Sequence, residues 1–350
     1  MNPKKAINGI RRKVFRHLTG SFKNKIGETF GSNDDVKKIL ICRPNHRLGN
    51  LLLLSPLFQE LEATFPNSEI DLLVHKSCAI QLYKNYDSVN EVIEFPQRPF
   101  KNLVKYIRTL MRFRSKQYDL AINAVRESSS GRIFTSIANA KIKFVGDIDT
   151  KEKERHIAKE VIYSLRRFLP NAGLNANESV PPGLDLRLAN DELRHGSSLV
   201  FELVQNEQPT ICLFTHATGK KCYSESWWLN LYEHLQQAFP DINIIEVLPK
   251  ENVSRIGFKA PALYSNDIRE LAAVIASTDV FIGADSGVMH LASSSLTPTV
   301  GLFSVTDPEM YKPYNEGSVA INTNEVEDDE LIARVKKALY PDVNTSDQNF

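Results

Sequence analysis

No run of apolar residues in this sequence is long enough to cross a bilayer. The densest, residues 51–54, is a fifth of the roughly 20 residues that a spanning helix needs. Cysteine is scarce. Cys42, Cys78, Cys212 and Cys222 are scattered without metal-ligand spacing, which excludes a disulfide scaffold and points to reduced thiols in a cytoplasmic protein. Net charge is nearly absent, with 43 Lys and Arg against 42 Asp and Glu. The chain as a whole therefore lacks polyelectrolyte character, and a nucleic-acid partner is not expected. No G-x-G-x-x-G follows the first predicted strand, which argues against a dinucleotide-dependent oxidoreductase.

One local absence stands out: no acid precedes Glu28. Residues 1–27 instead carry Lys4, Lys5, Arg11, Arg12, Lys13, Arg16, Lys23 and Lys25. Ile7, Ile10, Val14, Phe15 and Leu18 are spaced like one face of a helix. The apolar core of a signal peptide is missing. Such a segment either lies on an anionic membrane surface or forms a solvated basic tail.

What the chain does have is an alternation of strand and helix patterns in two runs. Strands are predicted at 38–43, 70–75, 92–95, 119–124 and 144–146, with helices at 57–65, 77–86, 100–116, 130–138 and 152–169 between and after them. Residues 170–183 are rich in Pro, Gly and Asn and nearly uncharged, as in a linker. A second run has strands at 210–216, 243–248, 280–284, 299–303 and 319–322. Its helices fall at 190–205, 225–239, 267–277, 288–295 and 327–340. The predicted organisation is a basic segment 1–35, a Rossmann-like domain 36–170, a linker 171–184, a second Rossmann-like domain 185–325, a closing helix 326–340 and a disordered tail 341–350.

The second run contains the stretch V-F-I-G-A-D-S-G-V-M-H at 280–290. An apolar strand enters a turn at Asp285-Ser286-Gly287, with Ser286 placed to cap the next helix and Gly287 to let another molecule approach the backbone. A helix N-terminus at the carboxyl end of a parallel strand is a phosphate-binding geometry. Spacing alone fits a plain strand–turn–helix unit equally well.

Four stretches, in order, resemble glycosyltransferase family 9, the heptosyltransferases. They are I-L-I-C-R-P-N-H-R-L-G-N-L-L-L-L-S-P-L at 39–57, F-P-N-S-E-I-D-L-L-V at 65–74, H-A-T-G-K-K-C-Y-S-E-S-W-W at 216–228, and the Asp-Ser-Gly-x-Met-His of 285–290. The resemblance implies a GT-B fold, two Rossmann-like domains facing each other across an interdomain cleft. It also implies inverting transfer of a sugar, typically heptose from ADP-heptose, to a lipopolysaccharide core or related anionic glycolipid. The protein is then expected to be a cytoplasmic monomer, peripheral on the inner membrane through residues 1–27, with no cofactor and no metal.

Carried over residue by residue, the resemblance assigns the donor to Thr218, Lys221, Asp285, Ser286, Gly287 and His290. Asp285 is an acid and is expected to fix the turn by accepting local N–H bonds rather than to meet phosphate itself. Glu251 and Asn266 lie where the ribose and base are expected. On the acceptor side stand Gly49, Arg126 and Arg132, beside the cation-rich segment with Arg98, Lys101, Lys105, Arg108, Arg112 and Arg114. The pattern breaks at one position. Where the family has an aspartate as the proposed base, this chain has Asn50, and an amide positions a hydroxyl but takes no proton at neutral pH. Either another group such as His46 is the base, or positioning and leaving-group stabilisation suffice, or the protein binds a nucleotide sugar without turnover. A GT-B epimerase is a further alternative. Asp147-x-Asp149 has the spacing of a metal-binding pair but runs into a charged, surface-like stretch, so metal is not implied.

Overall fold

The computed structural model describes residues 21–96, 103–146 and 154–341. Most of the basic segment (1–20), Arg98, Lys101, the Asp147-x-Asp149 pair and the tail 342–350 therefore lie outside the described residues. Grouped by contact, the chain forms two compact units, Met1–Arg47 with Pro56–Pro182, and Leu48–Ser55 with Gly183–Phe350.

Short aliphatic runs make the strands of the first unit: Lys25–Ile26 (β1), Lys38–Cys42 (β2), Glu69–His75 (β3), Val89–Phe95 (β4), Tyr118–Asn123 (β5) and Ala140–Phe144 (β6). They form one sheet in the order β4-β3-β2-β5-β6-β1. All neighbours are parallel except β1, which pairs antiparallel with β6 at the edge. The helices up to the linker are Leu48–Leu52 (α1), Ser55–Thr64 (α2), Ala79–Leu82 (α3), Leu103–Ser115 (α4), Ser129–Ile137 (α5) and Ile157–Phe168 (α6). Leu40, Leu73, Phe95, Phe113 and Phe134 build one part of the core. The predicted helix 77–86 shortens to α3, because Tyr83 and Tyr86 leave the helix to pack on Phe58 with ring centroids 4.5 and 5.7 Å away.

The second unit has Thr210–Phe214 (β7), Asn243–Val247 (β8), Ala262–Leu263 (β9), Val280–Ala284 (β10), Thr299–Phe303 (β11) and Val319–Asn322 (β12), all parallel in the order β9-β8-β7-β10-β11-β12. β7, β10 and β11 are buried along their whole length, as expected of strands covered on both faces. Its helices are Asn190–Val204 (α7), Glu225–Ala238 (α8), Ile268–Ala276 (α9), Gly287–Ser294 (α10), Pro308–Tyr311 (α11) and Asp328–Leu339 (α12). Trp228, Leu231, Ile282, Val300 and Val335 meet in its core.

The linker is held by buried ion pairs. On the first unit, Arg166 pairs with Glu60 at 2.7 and 2.6 Å and donates to Ser179 O at 2.6 Å. Beyond Pro182, Arg269 pairs with Glu192 at 2.7 Å through both nitrogens and donates to the carbonyls of Leu186 and Arg187.

Candidate functional site

In an open parallel sheet, ligands bind outside the carboxyl ends of the strands where the strand order reverses. In the second unit that point lies between β7 and β10. The loop after β7 carries Thr218 and Lys221, and the turn after β10 carries Asp285, Ser286 and Gly287. The two meet directly, since Lys221 Nζ lies 3.1 Å from Asp285 Oδ2. The same carboxylate oxygen accepts a bond from the hydroxyl of Thr306, which follows β11. Asp285 is 5% exposed. Its carboxylate thus holds a cation and a hydroxyl from two other loops instead of the local N–H groups expected of it.

Ser286 caps α10 by accepting from Met289 N at 3.3 Å. Thr218 is exposed and precedes a 3₁₀ turn over Gly219–Lys221, in which Gly219 has φ +67°. Aromatic rings back this turn. Tyr223 stacks on Trp227 with centroids 4.1 Å apart, and its hydroxyl lies 2.8 Å from that of Thr323. Burial is the main cause that pushes the Tyr223 phenol above its ordinary range, with the Asp285 charge adding to it. The Lys221 side chain keeps about a third of its surface open, at 29%.

The N-terminus of α10 is approached by the chain itself. A Cβ on Gly287 would lie 3.1 Å from Leu48 Cβ and 3.2 Å from Gly49 N, and one on Gly49 would lie 2.8 Å from His290 Cδ2. Only a glycine pair lets α1 sit this close to α10. Gly287 therefore opens the turn to residues 48–49, where the sequence suggested a bound molecule. His290, 4% exposed, has its ring against Gly49. Asn50, half-buried, is the next residue of α1.

The other predicted residues are more dispersed. His46 is exposed, and Asn45 Oδ1 accepts from the backbone N–H of His46 and Arg47 at 2.8 and 2.9 Å. It belongs to the first unit, whereas Asn50 belongs to the second. Glu251 is exposed in the turn after β8. Asn266, also exposed, accepts from the Tyr264 hydroxyl at 2.6 Å. In the first unit the strand order reverses between β2 and β5. Arg126 follows β5 there, in a recess lined by Asn123, Gly146, Glu160 and Ser164. Arg132 donates from Nε to Arg126 O at 2.9 Å and so supports the loop that presents Arg126.

Sequence reasoning missed Thr306, whose only signal is the T-D-P turn opener after β11, and Tyr223, hidden inside a motif read for its lysine. It also gave no role to His216, whose Nδ1 is buried without a partner at the end of β7. Among the described residues no group of three or more His, Cys, Asp or Glu is gathered to hold a metal ion, and no helix is long and apolar enough to cross a membrane.

The family model of glycosyltransferase family 9 (heptosyltransferase) matches residues 107–337. Lipopolysaccharide heptosyltransferase 3 of Escherichia coli is 19% identical over 298 residues, covering 77% of this chain and 85% of the relative. The family 9 glycosyltransferase of Veillonella parvula matches with a TM-score of 0.72 at 15% identity, covering 89% of this chain and 99% of that one. The ADP-heptose heptosyltransferase II of E. coli gives 0.63 at 14%, covering 87% and 98%. At these identities the solved structures show a shared GT-B fold.

Proposed function

This chain belongs to glycosyltransferase family 9, and from that premise we propose that it transfers a heptose from ADP-heptose to a lipopolysaccharide core or related anionic glycolipid, with inversion and without a metal. The observation that carries this reading is the Lys221–Asp285–Thr306 group at the strand-order reversal of the second unit. A departing diphosphate needs positive charge held in place before the reaction begins. Asp285 and Thr306 fix where the Lys221 ammonium sits, and its open side is free to meet phosphate oxygen. Thr218 supplies a hydroxyl just upstream. Glu251 and Asn266 are assigned to the nucleoside, and Arg126 to the anionic acceptor.

The acceptor hydroxyl attacks the anomeric carbon as the bond to the diphosphate breaks, and its proton must leave. Asn50 orients that hydroxyl and takes no proton. The proton goes to His46, or to solvent late in a dissociative displacement in which leaving-group stabilisation dominates.

A thermal-shift panel of ADP-, UDP- and GDP-sugars tests the donor, because a ligand that binds the folded state raises its melting temperature. ADP-heptose is expected to give the largest shift. A clear preference for UDP- or GDP-sugars would remove the heptose assignment and leave the fold standing. Donor binding with neither transfer nor hydrolysis would identify a nucleotide-sugar-binding protein that does not turn over.

A further inference from the structure

Helix α4 carries more apolar surface than its own unit buries. Tyr106, Leu110 and Phe113 pack inward against the core that holds Phe95 and Phe134. Yet Leu103, Val104, Ile107 and Met111 remain 53%, 73%, 46% and 69% exposed. At about 100° per residue these four side chains occupy an arc of roughly 100° beside the buried face. A helix that only packed on its sheet would need no second apolar stripe.

The rest of the circumference is cationic. Lys105, Arg108 and Arg112 are exposed there, Arg114 is exposed in the last turn in line with the stripe, and the helix contains no acid. Arg112 is paired with Glu91 at 3.0 Å. Arg114, at the end of the helix, and Lys25 each lie near enough to Lys143 for their charges to repel its ammonium. With burial as the larger cause, that repulsion lowers the Lys143 ammonium below its ordinary range. Among the described residues, the cations of α4 and of Lys25 and Lys143 at its end accompany an exposed apolar stripe.

A soluble anion would engage the cations and leave four apolar side chains in water, whereas a lipid surface satisfies both. We propose that α4 is a membrane-docking helix. Leu103, Val104, Ile107 and Met111 enter the headgroup–acyl boundary of an anionic bilayer, and Arg108 and Arg114 meet its phosphates. The sequence alone placed membrane contact on residues 1–27 and read the 98–116 segment as a sugar-acceptor surface. The exposed stripe offers α4 as a docking element in its own right. The inference is independent of sugar transfer, since it is read without donor or acceptor.

The test is sedimentation of the full chain with vesicles of phosphatidylcholine alone and with roughly one third phosphatidylglycerol. Binding to the anionic vesicles is expected, with a fall of at least about tenfold in I107E/M111E. In R108Q/R114Q the salt dependence should flatten. A chain lacking residues 1–20 should still bind. Both side chains of the apolar variant are exposed, so an unchanged melting temperature confirms that it is folded. Wild-type binding by I107E/M111E would overturn the proposal, as would complete loss on removing residues 1–20. So would a concentration-dependent dimer, broken by I107E/M111E, in a chain that ignores vesicles, because the stripe would then belong to a second copy.

Discussion

The two sheets share the order of five parallel strands, β4-β3-β2-β5-β6 in one and β9-β8-β7-β10-β11 in the other, and differ in what stands where that order reverses. In the first unit the polar groups at the reversal are spent on backbone. Asn123 donates to the carbonyls of Val125 and Val145 at 2.8 and 3.1 Å, and Arg132 donates to that of Arg126. In the second unit side chains from three loops meet each other, as Lys221, Asp285 and Thr306 do. The first arrangement fixes a loop and presents one guanidinium. The second fixes a charge. Topology places a crevice in both, and the loops decide which one holds a fixed cation.

The largest expected effects come from the buried ion pairs that each unit uses to hold its end of the linker. Glu60 is 2% exposed and opposes Arg166 in the first unit, and Glu192 opposes the buried Arg269 in the second. Removing one partner of a buried pair strands the other charge and costs about 3–5 kcal/mol. Both Glu60→Ala and Glu192→Ala should therefore lower the calorimetric melting temperature markedly. They should separate on nucleotide affinity, measured by titration calorimetry below the melt: Glu192→Ala weakens it and Glu60→Ala does not. Equal weakening by both would show that the units do not divide the work in this way.

Next in size is the site itself. Lys221→Ala should lower kcat/KM for transfer by about 10² or more, as loss of a preorganised stabilising group does. Arg126→Ala should instead raise KM for the acceptor and leave nucleotide affinity unchanged. Steady-state kinetics with donor and acceptor varied in turn distinguishes the two, and a nucleotide defect in Arg126→Ala would break the contrast.

The same contrast shows what could be read in advance. β7, β10 and β11 are covered on both faces, so they are continuous apolar runs and were located closely. β6 is A-K-I-K-F, with Lys141 exposed, and its alternation hid all but the end of it, so the strand expected at 144–146 lies at 140–144. β1 and β9 are two residues each and carry no pattern. At the site, Lys221 and Ser286 could be read because local motifs fix them. Thr306 could not, because its meeting with Asp285 depends on β10 and β11 lying side by side. Gly287 was read as an opening for a ligand when residues 48–49 take that space. A glycine signals close approach without saying of what.

That close approach gives a smaller, sharper test. Gly49→Ala would push a methyl group to 2.8 Å from His290 Cδ2 and 3.3 Å from Gly287 Cα. Overpacking of this kind costs typically about 1–3 kcal/mol. In the first unit Gly31→Ala meets nothing closer than 3.7 Å, at the Asp35 carboxylate, and should leave the melting temperature nearly unchanged. If Gly49→Ala melts like Gly31→Ala, then α1 is not held against α10 in solution and Asn50 loses its place beside the Asp285–Gly287 turn.

The smallest effect is a pH dependence, and it separates the two units once more. Each buries an acid in its sheet, but Asp71 faces the Lys116 ammonium at 2.6 Å with Tyr118 and Asn90 donating to it, whereas Glu246 has hydroxyl and N–H partners, including Thr215 at 2.6 Å. Burial pushes the Glu246 carboxyl above its ordinary value, and the bonds from Ser254, Thr215 and the Arg255 N–H only partly oppose this. The folded state therefore favours protonated Glu246. That stabilisation is complete below the carboxyl's value in the unfolded chain and is lost as pH rises through the raised folded value. Gln keeps an acceptor for the Thr215 hydroxyl and has no proton to lose. Melting temperatures of wild type and Glu246→Gln should accordingly diverge as pH rises above the ordinary carboxylate range, the variant gaining on the wild type. Parallel curves would mean that water or a counter-charge reaches Glu246, and that the end of β8 is less sealed than its complete burial implies.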